Sequence, residues 1–313
     1  MFLVCGEALF DIFVAGQRSG GLALDARPGG SPYNVAIGLA RLGQPVEFFT
    51  GLADDVLGRR LLSFMRAEGI GLNHAVKSLH PTAFSLVDLD AEGVPAYAFY
   101  PETPAYSAVG VADLPQLAAG IAGVHIGSIA TVLEPIGEAL AQLAARECRD
   151  RLVSYDPNVR LTVVPDPAVW RRRVEILAKS VHLLKISSED LDLLYPGRSH
   201  DEAAMAWLAQ GVRLVVITRG GDGAAAWTRS SRVDLAGRAI EVVDTVGAGD
   251  SYQAALLTGL AEAGRLAPAS LDDLTEDSLR GLLSFAAEAA AVTCTRRGAD
   301  LPHRADIGAL ENI

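Results

Sequence analysis

Asp244-Thr245-Val246-Gly247-Ala248-Gly249-Asp250-Ser251 is the stretch on which both fold and chemistry turn. Residues 240–243, apolar around Glu241, lead into it and read as a strand. Residues 252–260 follow it and read as a helix. A strand, a turn of small residues and a helix together aim backbone N–H groups at an anion. Two glycines, Gly247 and Gly249, flank Ala248, so no bulky side chain stops a phosphate from approaching. The turn closes on a carboxylate, Asp250, where the helix begins. An anion cradle ending in a carboxylate points to phosphoryl transfer to a hydroxyl, with Asp250 taking the proton. A carboxyl group at a helix N-terminus is expected to have a low pKa.

The surrounding chain supplies a scaffold for that turn. From residue 121, strands predicted at 122–126, 152–155, 181–186 and 214–218 alternate with helices at 135–148, 169–178 and 202–210. Apolar strands alternating with helices imply a mostly parallel sheet covered on both faces. Such sheets bind ligands beyond the carboxyl ends of their strands. Three polar clusters fall at those ends: Asp156-Pro157-Asn158-Val159-Arg160, the run from Lys185 through Ser187 and Glu189 to Asp190, and Thr218-Arg219-Gly220-Gly221. Short strands at 223–228 and 232–234 precede the opening stretch. A long apolar helix at 279–293 and the loop Arg296-Arg297-Gly298-Ala299 follow it.

The N-terminal third breaks this rhythm. Residues 2–5 read as a buried strand and 7–14 as a second extended piece containing Asp11. Asp11 either caps a turn or accepts hydrogen bonds from sugar hydroxyls. Residues 16–32 read as irregular. Gly29-Gly30-Ser31-Pro32-Tyr33-Asn34 precedes a helix at 35–43 that stops at Gly43. The glycine pair is a turn, a hinge or a place where amides meet a ligand, and Asn34 has the donors and acceptor that suit a polyol. A strand is predicted at 45–50 and an amphipathic helix at 57–68. Residues 82–90 and 94–100 alternate in hydrophobicity around Glu92-Gly93, as in a half-exposed hairpin. With residues 11–33, that hairpin (82–104) could form a lid on a single domain spanning 1–313.

Composition bounds the partners. The chain has 313 residues, 50% hydrophobic and 21% charged, with a formal net charge of −11. That balance excludes nucleic acid and an anionic membrane surface as main partners, since both require clustered cations. No basic leader and no apolar run of ~18 residues is present, so no targeting signal or membrane span is expected. Cys5, Cys148 and Cys294 lack ligand-like spacing and read as free thiols in a reducing, cytoplasmic setting. The six histidines are scattered and read as structural or surface groups. Gly221-Asp222-Gly223-Ala224-Ala225-Ala226 matches a dinucleotide fingerprint, with Glu241 downstream, but that reading requires a helix at Gly223 where the sequence suggests a strand. No Walker lysine motif occurs. Arg160 is either a surface charge or a fork for phosphate. Glu189 and Asp190 are either acids complementing a helix start or ligands of a hydrated Mg²⁺.

Taken together, these motifs resemble the ribokinase-type (PfkB) family of sugar kinases. The run from Asp244 to Asp250 is similar to the family's C-terminal signature. Gly29-Gly30 with Asn34 and Leu39-Ala40-Arg41-Leu42-Gly43 is similar to its N-terminal one. The resemblance covers nearly the whole chain. It implies a three-layer α/β/α body with a small β lid, and roles for residues. Asp250 would be the general base, and the amides of Gly247, Ala248 and Gly249 an anion hole. Asp11, Gly29, Gly30 and Asn34 would grip the sugar. Arg160 would approach the phosphates. Lys185, Ser187, Thr218, Gly220, Gly223 and Thr245 would serve ATP. Mg²⁺ would lie near Glu189 or Asp190, where Ser187-Ser188-Glu189-Asp190 departs from the family's Asn-x-x-Glu. Asp244 and Gly298 would contribute to a K⁺ site, as in some relatives. Gly6-Glu7-Ala8-Leu9-Phe10-Asp11 and Lys185-Ile186-Ser187 resemble bacterial fructokinases, whereas Tyr100-Pro101-Glu102-Thr103 departs from them. The expected reaction is ATP-dependent phosphorylation of a primary hydroxyl, most plainly of fructose. Ribose, 2-keto-3-deoxygluconate and nucleosides remain alternative acceptors, and a non-catalytic sensor is the alternative class. An exposed lid sheet could pair with its twin in a homodimer.

Overall fold

The computed structural model describes residues 1–89 and 95–310; the predicted turn at Glu92-Gly93 lies outside them. In chain order, β1 (Phe2–Cys5), β2 (Leu9–Arg18) and β3 (Gly21–Gly29) lead to α1 (Ser31–Arg41). β4 (Val46–Phe49), β5 (Gly51–Ala53), α2 (Val56–Ala67), β6 (Val76–Ser78), β7 (Phe84–Leu89) and β8 (Pro95–Tyr100) follow. The regular half comprises β9 (Gly123–Gly127), α3 (Ile136–Glu147), β10 (Leu152–Asp156), α4 (Pro167–Leu177), β11 (Leu183–Ser187), α5 (Ser188–Leu194), α6 (His200–Gln210) and β12 (Leu214–Thr218). The chain closes with β13 (Ala224–Trp227), β14 (Arg232–Leu235), α7 (Ala248–Glu262) and α8 (Glu276–Cys294).

The main sheet has eight strands in the order β14-β13-β12-β11-β10-β9-β1-β4. From β4 across to β12 neighbouring strands run parallel, while β13 and β14 are antiparallel. The parallel strands read as unbroken apolar runs because both of their faces are covered. Phe2, Val4, Leu183 and Val216 point to one face, where Leu39 of α1, Leu256 of α7 and Leu282 of α8 pack. Leu3, Tyr155 and Ile186 point to the other, against Leu140 of α3, Trp170 of α4 and Trp207 of α6. The result is the expected three-layer α/β/α body. The strand that begins at Ala224, directly after Gly223, removes the dinucleotide reading, because no helix starts there.

A second sheet has four strands in the order β3-β2-β7-β8. Two expectations from the sequence fail around it and the opening stretch. Residues 16–32 are not irregular: 16–29 complete the β2–β3 hairpin, with Asp11 facing Arg27 and Phe13 facing Asp25, and 31–32 open α1. Glycine and Pro28 masked the pattern, yet β3 is an edge strand, where a missing N–H costs no ladder bond. Residues 240–243 form no strand. Val242 and Val243 are more than half exposed, and the Val243 and Asp244 amides donate to the Cys294 carbonyl at the end of α8. The main sheet ends at β14, so an apolar run beyond it has no partner strand.

Candidate active site

α7 starts at Ala248, two residues earlier than the sequence suggests, so Asp250 lies in its first turn. Gly247 caps the helix in the left-handed region at φ 81°, and a Cβ there would stand 2.8 Å from that of Ala299. Only glycine combines that backbone with so close a neighbour. The Ala248 amide donates to the Thr245 carbonyl at 3.2 Å, so it closes the turn. The Ser251 amide makes the first helical bond, to Gly247. The amides of Gly249 and Asp250 belong to the first turn, where a helix has no acceptor of its own for its N–H groups.

Asp250 is buried, and both of its carboxylate oxygens accept hydrogen bonds from the first turn of α1. Ser31 Oγ donates to Oδ1 at 2.6 Å and Asn34 Nδ2 donates to Oδ2 at 2.8 Å. Two helix N-termini therefore meet at one carboxylate, since α1 begins at Ser31, capped by Gly30 at φ 104°. Burial pushes the Asp250 carboxyl above its ordinary value, opposed by Ser31, Asn34 and the Lys185 ammonium. This reverses the low value expected from the helix N-terminus: desolvation outweighs the donors and the ammonium that favour the anion.

Beneath this turn lies a buried ion pair. Lys185 on β11 donates to Asp156 Oδ2 on β10 at 2.7 Å, with 5% and 2% of the two side chains exposed. Lys185 Nζ lies 3.2 Å from where a Cβ on Gly249 would stand. The lysine thus adds positive charge under the anion cradle. Asp156 Oδ1 is buried and has no hydrogen-bond partner. Asp190, 8% exposed, is pushed up to about 6, first by burial and then by Asp156. Glu189 points outward and is exposed. Ser187 caps α5, its Oγ accepting from the Asp190 amide at 3.0 Å.

Arg160, in the loop after β10, is exposed and acts electrostatically on both Asp190 and Asp11. Asp11 accepts a short hydrogen bond from Ser85 on β7, and burial raises its carboxyl despite Ser85 and Arg160. Gly29 ends β3 against Leu9, and a Cβ on it would run into the Asp11 carboxylate. Asp244 Oδ2 accepts from the Gly298 amide at 2.7 Å and Oδ1 from that of Val246 at 3.1 Å. Asp244 and Gly298 are therefore neighbours. Thr218 ends β12, followed by a single 3₁₀ turn at Gly220–Asp222, and Gly223 packs under the Leu235 carbonyl. Thr245 is exposed.

The chain matches the pfkB family carbohydrate kinase over residues 11–305. It belongs to the pfkB family of carbohydrate kinases. It is 36% identical over 280 residues to a fructokinase of Rhizobium leguminosarum bv. trifolii, covering 90% of this chain and 86% of that one. The crystal structure of an ATP-bound fructokinase from Xylella fastidiosa superposes with a TM-score of 0.88 at 26% identity, covering 97% and 96% of the two chains. A fructokinase of Vibrio cholerae O395 in a form with fructose, ADP and potassium bound superposes at 0.81 and 26% identity, over 95% and 93%.

Within this pfkB fold, the residues fit a cation at the Asp156–Asp190 corner. Two buried carboxylates act on each other electrostatically there, and Asp156 Oδ1 has no donor. Among the described residues no group of three or more His, Cys, Asp or Glu is arranged for a metal. A cation held by one or two carboxylates and its own waters fits that scarcity. His125 is buried, and burial with the Lys185 charge lowers it to about 3, so it is neutral. Its Nδ1 hydrogen-bonds Ser154 Oγ at 2.9 Å.

Sequence reasoning missed Ser31, Asp156 as a partner of Lys185, and Glu7. Glu7 is buried, accepts from the Ala130 amide at 3.2 Å and from Ser128, and is pushed up to about 7 by burial. The signal for Ser31 was its place beside Gly30 at a helix start. Only the fold shows that α7 brings Asp250 to that spot.

Proposed function

We propose that the protein is an ATP-dependent fructokinase that transfers the γ-phosphoryl group to the 6-hydroxyl of fructose. One observation carries the reading: Asp250 is buried at the joint N-termini of α1 and α7, above the Lys185 ammonium. A carboxylate so placed can accept a hydroxyl proton while the first-turn amides of α7 stabilise charge on the transferring group. The acceptor comes from the relatives, since the Rhizobium protein is a fructokinase and the Vibrio enzyme is seen with fructose. Asp11 and Asn34 would bind the sugar, with Gly29 and Gly30 shaping its pocket. Arg160 would hold the phosphates. Thr218, Gly220, Gly223 and Thr245 would flank ATP. Mg²⁺, held through Asp190 and water, would neutralise phosphate charge; the exposed Glu189 is the weaker candidate. Asp244 and Gly298 would border a K⁺ ion.

The whole of 1–313 would act as one kinase domain, with the four-stranded sheet as its lid. The edge strand β3 exposes Leu22 and Leu24, and a lid-to-lid homodimer would cover them. No helix among the described residues is long and apolar enough to cross a membrane. A cytoplasmic location fits the three free cysteines. The test is ADP release from MgATP with fructose, ribose, 2-keto-3-deoxygluconate and a nucleoside offered in turn. The reading expects fructose to give the highest kcat/KM. ADP release with none of them would overturn it.

A further inference from the structure

The closest neighbour of the Asp250 carboxylate is Ser31. It stands at the first position of α1, is 6% exposed, and donates to Oδ1 at 2.6 Å. Asn34, three residues on and hence on the same helix face, donates to Oδ2 at 2.8 Å. The terminal torsion of an aspartate is soft, with a broad two-fold profile. Two donors mounted on one buried helical turn remove that freedom. α1 is itself stiff at this point, because Pro32 fixes the backbone and Ser31 to Leu39 are all buried.

We propose that Ser31 is a positioning residue for phosphoryl transfer, holding the Asp250 carboxylate in the orientation from which it receives the acceptor proton. The proposal rests on Asp250 acting as the base, as read above. A hydroxyl suits the task better than a charged group, since it orients the carboxylate without neutralising it. Its hydrogen bond strengthens when Asp250 is ionised, so it also keeps the base deprotonated. The other charged groups acting on Asp250 do not fix its rotation. Lys185 from β11 favours the anion, whereas Asp156 from β10 and Glu7, just after β1, oppose it.

The experiment compares wild type, Ser31→Ala and Ser31→Thr as purified full-length protein. kcat and KM for fructose are measured from about pH 5.5 to 9 at saturating MgATP. ATP ionisation is common to all three and cancels in the comparison. Ser31→Ala is expected to lower kcat on the order of tenfold at neutral pH and to shift the acid limb of kcat upward by about one pH unit. KM for fructose should change by less than about threefold, because the Ser31 hydroxyl is spent on Asp250. Ser31→Thr, which keeps the hydroxyl, should restore the wild-type limb. Glu7 titrates in the same range, so the displacement should persist in a Glu7→Gln background. A ¹³C-carboxyl NMR titration of Asp250 reads the same shift without turnover, so it tests Ser31 even if fructose is the wrong acceptor. An unmoved Asp250 titration in Ser31→Ala, or a loss of kcat that is equal at every pH, would overturn the proposal.

Discussion

Replacing Lys185 by methionine removes one half of the Lys185–Asp156 pair, which is 5% and 2% exposed. Asp156 then loses its 2.7 Å partner at Oδ2, while Oδ1 already has none. Breaking a buried pair from one side costs about 3–5 kcal/mol, because an uncompensated charge is left behind. Domains of about 150–250 residues lose about 2–4 °C in Tm per kcal/mol, so the drop should be on the order of 10 °C. Adding Asp156→Asn removes the orphaned charge, and the double variant should regain at least about half of that loss. Turnover should behave differently. A unit charge about 5 Å from a developing anion contributes about 3 kcal/mol at an effective dielectric constant of about 20. Asp156 cancels part of this, but Lys185 acts on Asp250 more strongly than Asp156 does. A residual loss of about tenfold in kcat should therefore remain in the double variant. The assay is thermal unfolding alongside ADP release from the same preparations. If turnover recovers with stability, the lysine serves only the fold. If the double variant is as unstable as the single one, the pair is not where the cost arises.

Three further outcomes follow from the site. Asp250→Asn should lower kcat by ~10²-fold or more while leaving ATP affinity by calorimetry nearly unchanged; near-normal turnover would remove Asp250 from the base role. Asp190→Asn should raise the Mg²⁺ concentration needed for half-maximal rate by about tenfold, whereas Glu189→Gln should not, and the reverse order would reassign the metal. Glu7 bears on stability. Its folded value of about 7 lies above the ordinary 4.5, so folding favours its protonated form. The penalty is absent below the ordinary value of 4.5, grows as pH rises from there to about 7 and is complete above it, reaching about 3 kcal/mol. Glu7→Gln should therefore be more stable relative to wild type at pH 8.5 than at pH 5, and Tm curves that run parallel in pH would contradict this.

The regular half of the chain was legible because its strands are buried on both faces. Strands β9 to β12 fall within a few residues of the apolar runs, and their polar tails, from Asp156, Lys185 and Thr218, converge as expected. The hairpin of β2 and β3 was not legible. Gly16 sits at an irregularity in β2, Gly20 in the turn and Pro28 on the edge strand β3, so the usual punctuation of a loop appears within a strand pair. Residues 240–243 failed in the opposite sense. Their composition is that of a strand, but strand formation needs a neighbour, and the sheet has already ended.

For Asp244 to Asp250, the sequence alone determined the chemistry: small residues, a helix start and a carboxylate in fixed order. It determined this because backbone geometry at a glycine turn is local. The tertiary structure decided the electrostatics. Whether Asp250 titrates below or above its ordinary value depends on how much water reaches it, and on donors brought from Ser31 and Asn34, more than two hundred residues away along the chain. Burial and long-range pairing are properties of the packed layers, and no spacing rule within one segment reports them.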